Sequence, residues 1–215
     1  MAGRFITFEG GEGVGKSTQL NRAAAWLQAG GVEVVLTREP GGTPRAELLR
    51  KVLLERGDEP MPQSCELLLM FAARASHLAN LVEPAMARGA WVLCDRFTDA
   101  TYAYQGGGRG MPAADIDALV RIVHPDRQPD LTLLLDAPVA LGMTRAHARN
   151  GAGGPDRFET ERSDFFERVR QCYLQRAARE PRRFRVIDAS RTPDEVEASV
   201  RAALAPLLEP AASAP

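Results

Sequence analysis

The sequence predicts an α/β fold in which a five-stranded parallel sheet carries helices on both faces. Three observations favour this class. Short apolar runs alternate with segments of helical periodicity along the chain. Two of these runs, Ala90–Cys94 and Leu131–Leu135, are apolar almost throughout, which is typical of strands buried on both faces. The predicted strand Arg4–Glu9 leads through a glycine-rich loop into the predicted helix Thr18–Gly30, an order of elements that is typical of parallel sheets.

The remaining elements follow in chain order. Further strands are predicted at Val32–Thr37 and Phe184–Ile187, and helices at Pro44–Leu54, Ser64–Arg88, Pro112–Val123, Pro138–Arg149 and Glu161–Arg179. Gly106–Gly110 is predicted to be a loop. Thr192 and Glu195 have the spacing of a capping box, which begins a last helix. We therefore predict one domain over residues 1–208, with a small lid at about 145–160 and a disordered tail at 209–215.

The loop after the first strand has the spacing G-x-x-x-x-G-K-[ST], with Gly10, Gly15, Lys16 and Ser17 in the defining positions. Glycines allow the backbone to curl so that successive N–H groups point at phosphate oxygens. Lys16 supplies a charge for the β- and γ-phosphates, and Ser17 supplies a hydroxyl for a magnesium ion. The fold is thus predicted to be a three-layer P-loop sandwich. Its predicted ATP-binding residues here are Gly10, Gly11, Glu12, Gly13, Val14, Gly15, Lys16, Ser17 and Thr18.

Polar loops follow three further predicted strands, at Arg38–Thr43, Asp95–Arg96 and Asp188–Thr192. In open parallel sheets, ligands bind at the carboxyl ends of the strands, so we expect these loops to converge. Asp95 can hold magnesium or its waters together with Ser17. Arg96 can bridge two phosphoryl groups with bidentate hydrogen bonds. The alternative is a surface ion pair at the end of a strand.

Composition excludes several classes of function. The 27 Lys and Arg residues nearly balance the 28 Asp and Glu residues, which argues against a nucleic-acid partner. We expect no apolar run long enough to cross a membrane and no secretion signal, so a cytoplasmic location is predicted. Cys65, Cys94 and Cys172 are widely separated and lack C-x-x-C spacing, which favours reduced, packed thiols. The three scattered histidines suggest no metal or nucleophile cluster.

Four segments together resemble the bacterial thymidylate kinase (dTMP kinase) family, and their order and spacing match from about Arg4 to Ala203. They are Phe8–Thr18, Thr37–Thr43, Asp95–Phe97 and Tyr104–Gly110. The resemblance implies a nucleoside monophosphate kinase that uses ATP and Mg²⁺ to phosphorylate dTMP to dTDP. It also implies a homodimer, whose interface we expect at the long helices around Leu67–Val82.

The resemblance further implies roles for individual residues on the donor side. Glu12 matches the acid that contacts the 3′-hydroxyl of the sugar and helps to place magnesium. Arg96 matches the arginine that bridges the dTMP phosphate and the γ-phosphate of ATP. Tyr104 matches the aromatic under the sugar that disfavours a ribose 2′-hydroxyl. Lys16, Arg96, Glu12 and Asp95 form the predicted catalytic set, together with lid arginines.

On the acceptor side, Arg74 matches the arginine that hydrogen-bonds the thymine edge, and Thr101 and Gln105 match further base contacts. Glu39 and Pro40 lie in the segment that closes over the acceptor phosphate. Phe71 is predicted to stack on thymine, because positions i and i+3 share a helix face with Arg74. In many relatives the aromatic lies four residues before the arginine, where this chain has Met70. The alternatives are therefore stacking by Phe71, packing by Met70, and Phe71 as a core residue.

Arg145, Arg149 and Arg157 flank the glycine-rich segment Gly151–Gly154. Gly13 occupies the P-loop position where some relatives carry arginine, and the resemblance implies that a basic lid compensates. Arg149 and Arg157 are predicted to be catalytic, and Arg145 to contact ATP. The alternative is a solvated helix end, which is the usual environment of arginines.

Two other functions stay open on sequence grounds. The first is a kinase of the same fold with a different acceptor. Four residues argue against it, namely Phe71, Arg74, Tyr104 and Gln105. The second is a GTPase-like switch, which would need a guanine-reading N-K-x-D motif. The candidate asparagines do not fit this motif, because Asn21 and Asn80 are followed by Arg and Leu, and Asn150 by Gly.

Overall fold

The structure of the protein is a computed structural model that describes residues 2–55, 59–150 and 162–208. The side chains at positions 147, 149 and 150 are not among the described parts. Most of the predicted lid, including Gly151–Gly154 and Arg157, lies outside the described residues, and so does the predicted tail at 209–215.

Five parallel strands form one sheet in the order β2-β3-β1-β4-β5. They are β1 (Arg4–Glu9), β2 (Val34–Arg38), β3 (Trp91–Asp95), β4 (Leu131–Asp136) and β5 (Phe184–Asp188). The helices are α1 (Lys16–Ala29), α2 (Pro44–Leu54), α3 (Gln63–His77), α4 (Glu83–Ala87), α5 (Thr98–Thr101), α6 (Ala113–Val123), α7 (Val139–Asn150), α8 (Ser163–Arg179) and α9 (Pro193–Leu204). The predicted α/β class with a parallel sheet is thus confirmed.

Alternate residues of each strand pack on opposite faces of the sheet. On one face, Ile6, Phe8 and Leu133 belong to a core with Leu27 of α1 and Val200 of α9. On the other face, separate clusters pack against the region of α4 and against α8. Burying a Leu, Ile or Phe side chain stabilises the fold by about 1.5–3 kcal/mol, so both layers of helices are held to the sheet by apolar contact.

Helix termini follow the local sequence signals. The side chain of Thr192 accepts from the N–H of Glu195, whose carboxylate accepts from the N–H of Thr192, so the predicted capping box is present. The predicted helix Ser64–Arg88 is divided, because a π-helical turn at Leu78–Val82 separates α3 from α4. Pro84 follows that turn; its ring would clash with the carbonyl four residues earlier in a regular α-helix.

One helical stretch bears on the expectation that no apolar run is long enough to cross a membrane. Gln63–Ala87 is long and apolar enough to pass such a test by length and composition, with 44% of the tested window buried. Its charged side chains have partners inside the protein, because Glu66 accepts from Gln105 and Arg74 donates to Glu39. We therefore interpret this run as a helix of the fold.

The predicted loop Gly106–Gly110 was also wrong in part, because a π-helical segment, Tyr102–Gly108, continues α5. Its glycines permit close packing on α8. A Cβ atom on Gly107 would lie 2.6 Å from the Cβ of Cys172, and one on Gly108 would overlap the ring of Phe165. Glycine here reflects a close helix approach and not a turn.

Candidate active site

The P-loop connects β1 to α1 at the centre of the sheet. Gly10, Gly13 and Gly15 have φ values of 133°, 66° and 90°, a region that glycine adopts without a steric penalty. The Nζ of Lys16 donates to the carbonyl oxygens of Gly10 (3.1 Å) and Gly11 (2.7 Å). Burial and the charge of Arg96 lower the pKa of Lys16, against the opposing effect of Glu12 and other acids. A poorly hydrated cation thus lies at the loop, where it favours anionic ligands.

A cleft of about 450 Å³ opens at the carboxyl ends of β1, β2 and β3. This volume is in the range of pockets that hold small molecules. Of the predicted site residues whose side chains are described, most line the cleft. Those that do not are Gly10, Gly11, Val14, Phe71 and Arg145. Gly10, Gly11 and Val14 instead line a smaller cavity behind the P-loop.

The predicted metal-binding pair lies together in the cleft. The Oγ of Ser17 donates to the Oδ2 of Asp95 at 3.2 Å. The Oδ1 of Asp95 is buried and has no hydrogen-bond partner among the described residues. No group of three or more His, Cys, Asp or Glu ligands occurs in the described part of the chain. The Ser17 hydroxyl and the Asp95 carboxylate are a suitable pair of protein ligands for Mg²⁺, because this ion usually keeps phosphate and water oxygens as its other ligands.

Arg96 has an unusual backbone, because it is the one non-glycine residue with positive φ (72°) in the described ranges. Such a conformation costs about 1–2 kcal/mol. It is held from both sides: the N–H of Arg96 donates to the carbonyl of Phe8 (3.0 Å), and the next N–H, of Phe97, donates to Glu9 Oε1 (2.7 Å). The end of β1 therefore fixes the turn that directs this arginine.

The side chain of Arg96 joins the P-loop to Tyr104, in the helical segment after β3. Its Nη2 donates to Glu12 Oε1, and its Nη1 donates to the carbonyl of Gly10 at 3.3 Å. The guanidinium lies over the ring of Tyr104 at 4.6 Å, and the Tyr104 hydroxyl also donates to Glu12, at 2.8 Å. Arg96, Glu12 and Tyr104 thus form one connected cluster.

Sequence reasoning assigned no role to Glu9, which is fully buried directly beneath this cluster. Its Oε2 accepts from the hydroxyl of Tyr173 on α8 at 2.7 Å. Burial and the negative charge of Asp99 raise the pKa of Glu9 to about 8, against the bonds from Tyr173 and Phe97 and the charge of Arg96. At neutral pH this carboxyl is therefore mainly protonated. The sequence signals were its position at the end of the first strand and its place in Phe8–Thr18, a segment that carried the resemblance.

Arg74, on α3, also lines the cleft. Its Nε donates to Glu39 Oε2 at 2.7 Å, and its Nη2 donates to Thr101 Oγ1 at 2.9 Å. The guanidinium is sandwiched near the rings of Phe71 (4.6 Å) and Phe97 (5.1 Å). Its Nη1 is buried and has no partner among the described residues. An unpaired buried donor costs about 1–3 kcal/mol, so this atom is suited to an acceptor on a ligand.

Phe71 does not line the cleft, and the expectation that it stacks on a ligand base is not supported by its placement. The ring is 2% exposed and lies parallel to that of His124, with 6.2 Å between ring centroids. Residues four apart are offset by about 40° around a helix, and residues three apart by about 60° the other way. The cleft face of α3 accordingly runs through Met70 and Arg74, and Phe71 belongs to the core face.

Comparison with known proteins agrees with this geometry. A family model described as thymidylate kinase matches residues 8–200. The chain belongs to the thymidylate kinase family. It is 59% identical over 203 residues to thymidylate kinase of Chromohalobacter salexigens (94% of this chain, 95% of that one). It is 56% identical over 209 residues to that of Ectopseudomonas mendocina (97% and 98%). The crystal structure of thymidylate kinase from Ehrlichia chaffeensis has a TM-score of 0.76 and 33% identity, over 95% of this chain and 99% of that chain.

Two arginines of this thymidylate kinase family member line the cleft although sequence reasoning assigned them no role. Nη1 of Arg50, on α2, donates to the carbonyl of Pro40 at 2.9 Å. Nη2 of Arg38, at the end of β2, bonds both carboxylate oxygens of Glu47, at 3.0 and 2.9 Å. Arg38 lies within a segment that carried the resemblance, so its position was a signal. Arg50 had none, because helical arginines are usually solvated.

The predicted lid begins within α7, and an earlier part of this helix packs on the P-loop. A Cβ atom on Gly13 would overlap the carbonyl of Gly142, so the helix backbone excludes any side chain at position 13. This contact gives a steric reason why the P-loop has no basic residue there. Arg145 donates to the carbonyls of Ala189 (2.8 Å) and Ser190 (3.4 Å), in the loop after β5. The side chain of Arg149 and all of Arg157 lie outside the described residues.

Proposed function

We propose that this protein transfers the γ-phosphoryl group of ATP to the phosphate of dTMP, giving dTDP and ADP. The observation that carries the proposal is the continuity of one cleft from the P-loop to Arg74, whose buried Nη1 has no hydrogen-bond partner among the described residues. A donor nucleotide on the P-loop and an acceptor base at Arg74 would then bring two phosphates together near Arg96. In the transfer, the bond from the γ-phosphorus to its bridging oxygen breaks as the acceptor phosphate oxygen bonds to that phosphorus.

The donor side would act by binding charge. Lys16 would contact the β- and γ-phosphates when it exchanges its carbonyl partners for phosphate oxygens. Ser17 and Asp95 would hold a Mg²⁺ ion bound to ATP, which supplies charge neutralisation on the phosphates. Arg96 would donate to both the transferred and the accepting phosphate. No protein base is needed, because the acceptor is already an anion.

The acceptor side would select the nucleotide. Arg74 can only donate hydrogen bonds, so its Nη1 favours a base that presents a carbonyl oxygen. Thr101 and Gln105 line the same end of the cleft and would contact the base. Tyr104, fixed by its hydroxyl bond to Glu12, would limit space at the 2′ position of the sugar. Glu39 and Pro40 would lie beside the acceptor, with Arg38 and Arg50 adding positive charge near its phosphate.

The lid, the assembly and the location remain part of this proposal. Arg149 and Arg157 would approach the phosphates when residues 145–160 close, and Arg145 would lie beside the adenine. The face of α2 and α3 carries exposed apolar side chains at Leu48 (67%) and Leu68 (58%), which supports a homodimer through these helices. A protomer mass in sedimentation equilibrium would contradict the dimer. We also propose a cytoplasmic location, which is the expectation drawn from the sequence.

An ADP-release assay with Mg²⁺ and ATP over a panel of nucleoside monophosphates tests the function. We expect kcat/KM to be highest for dTMP, lower for dUMP and far lower for dCMP and for purine nucleotides. A higher value for another acceptor would favour a different kinase of the same fold. Slow hydrolysis without any acceptor preference, combined with tight guanine-nucleotide binding, would favour a switch protein.

A further inference from the structure

We infer that His77 is a positioning residue that holds Glu39, and through Glu39 the guanidinium of Arg74, in the orientation that reads the acceptor base. The inference deepens the proposed function and rests on it. None of the three scattered histidines had an assigned role from the sequence alone. In the structure, His77 is fully buried and contacts Glu39, which in turn accepts a hydrogen bond from Arg74.

A chain of hydrogen bonds connects β2 to the cleft. The Oγ1 of Thr37 lies 2.7 Å from Nε2 of His77, and Nδ1 of His77 lies 2.9 Å from Oε1 of Glu39. The other carboxylate oxygen of Glu39 accepts from Nε of Arg74 at 2.7 Å. Glu39 and Arg74 are 4% and 2% exposed. Water therefore has little access to substitute for any member of the chain.

Each residue in this series of hydrogen bonds can be assigned as a donor or an acceptor. Arg74 can only donate, so Glu39 accepts from it. Burial raises the pKa of Glu39, but the charge of Arg74 and the bond from His77 outweigh it, and the net pKa is lowered. Because Glu39 is ionised, Nδ1 of His77 must carry a proton and donate. In a neutral ring, Nε2 then accepts from the hydroxyl of Thr37.

The loop that follows β2 closes tightly on the histidine. Gly42 has a φ of +87°, and a Cβ atom there would lie 2.7 Å from Cδ2 of His77 and would overlap Oγ1 of Thr37. The segment Thr37–Thr43 therefore provides a hydroxyl, a carboxylate and a glycine that all contact one imidazole. This common partner gives a physical reason for the residue types in the segment.

The consequence concerns discrimination between bases. Both carboxylate oxygens of Glu39 are engaged, one by His77 and one by Arg74, so neither the carboxylate nor the guanidinium can rotate freely. Thymine presents a carbonyl oxygen at position 4, which accepts from an arginine, whereas cytosine presents an amino group there, which cannot. If the donor at position 77 is lost, Glu39 can turn and Arg74 loosens, so preference for dTMP over dCMP should fall.

Two variants of His77 separate the hydrogen bond from Nδ1 from the packing of the side chain. In His77→Asn the amide nitrogen lies near the place of Nδ1 and can still donate to Glu39. In His77→Gln the amide lies near the place of Nε2, so the contact with Thr37 is kept and the donor to Glu39 is lost. We expect His77→Gln to lower kcat/KM for dTMP, and its ratio to that for dCMP, by about tenfold. His77→Asn should stay within about threefold of the wild type, and the KM for ATP should not change in either variant.

A matched control is His124→Gln, which alters another buried histidine. His124 packs against Phe71 and Phe97, the two rings beside the Arg74 guanidinium, so the variant alters packing there. It lies 2.8 Å from Oγ1 of Thr98 and 3.1 Å from the carbonyl of Arg127, and among the described residues it has no hydrogen bond to Glu39. We expect its dTMP to dCMP ratio to match the wild type even if its thermal stability falls. Equal losses in His77→Asn, His77→Gln and His124→Gln would mean that packing alone matters, and would overturn the inference.

Circular dichroism, thermal melts and calorimetric titration with dTMP complete the experiment. A folded His77→Gln variant with the wild-type ratio and wild-type dTMP affinity overturns the inference. If His77→Gln does not fold, Thr37→Val serves instead, because it removes the hydroxyl at constant volume; we expect a loss of about threefold in the ratio, and no loss overturns the inference. Failure of the proposed function is distinguishable, because the wild-type protein itself would then show no preference for dTMP.

Discussion

The two ends of the cleft are built in different ways. The donor end is made largely of backbone from one continuous segment, Gly10–Ser17, with a lysine that bonds to its own loop. The acceptor end is made of side chains from β2, α3 and the helical segment after β3, which meet only through tertiary packing. The first end is therefore specified by a local sequence motif. The second end depends on hydrogen bonds between residues tens of positions apart.

The largest effect should come from the donor end. Lys16→Ala removes the cation that would bind the β- and γ-phosphates, and we expect kcat to fall by about a hundredfold or more with the fold intact. Steady-state ADP release with a thermal melt provides the measurement. Lys51→Ala is the matched control, because Lys51 is exposed on α2. Near-normal turnover of a folded Lys16→Ala protein would contradict the P-loop assignment.

A change at the acceptor end should leave ATP binding alone. Arg74→Lys keeps a positive charge beside Glu39 but loses the planar fork that bonds Glu39 and Thr101 together. We expect kcat/KM for dTMP to fall by about thirtyfold, with the KM for ATP within about twofold of the wild type. If the KM for ATP rises as much as kcat/KM for dTMP falls, the two ends of the cleft do not act independently.

The lid arginines test whether the donor end needs charge beyond the P-loop. Position 13 cannot carry a basic side chain, because α7 occupies that space. We expect Arg149→Ala or Arg157→Ala to lower kcat by about tenfold, with KM less affected, because the contacts would form mainly in the transition state. Single-turnover kinetics at saturating substrates provide the test. An unchanged transfer rate in the triple variant with Arg145→Ala would mean that these arginines form only a solvated helix end.

Tyr104 tests sugar selection, where a smaller effect is expected. Its ring lies under the guanidinium of Arg96 and its hydroxyl bonds Glu12, so its position is fixed from two sides. We expect Tyr104→Ala to reduce the preference for dTMP over its ribose analogue by about fivefold. An unchanged ratio of kcat/KM values would mean that another group limits space at the 2′ position.

The contrast between local and tertiary contacts also explains how much of the fold and of the site could be predicted from the sequence. The order of strands and helices followed from periodicity, and the P-loop from local spacing, because both are properties of neighbouring residues. Phe71 was misplaced because one residue of helical phase decides whether a side chain faces the cleft or the core. Gly107 was predicted to be in a loop because its contact with Cys172 on α8 has no local signature. The hydrogen bonds of His77 were not predicted, because its partners, Thr37 and Glu39, lie about 40 positions away.

The two ends of the cleft also differ in the pKa of a buried carboxyl group. Glu9, at the donor end, has a pKa raised to about 8 by burial and by the charge of Asp99. Glu39, at the acceptor end, is as buried, but Arg74 and His77 lower its pKa against the effect of burial. One group therefore holds a proton at neutral pH and the other does not. Glu9→Gln and Glu39→Gln form a matched pair of variants, because glutamine has the shape of glutamic acid and cannot ionise.

Between about pH 4.5 and pH 8, native protein keeps a proton on Glu9 that the unfolded chain releases, so wild-type stability should fall as the pH rises through this window. We expect the stability of the wild type relative to Glu9→Gln to decline by up to about 3 kcal/mol from pH 5.5 to pH 8, and kcat at pH 7 to stay within about threefold. Glu39→Gln should be less stable than the wild type by an amount that is constant over the same range, because Glu39 is ionised in both states there. Urea unfolding at several pH values measures both differences. Parallel stability curves for the wild type and Glu9→Gln would mean that Glu9 is ionised in the folded protein, and that the donor end tolerates a buried negative charge beside its phosphate-binding loop.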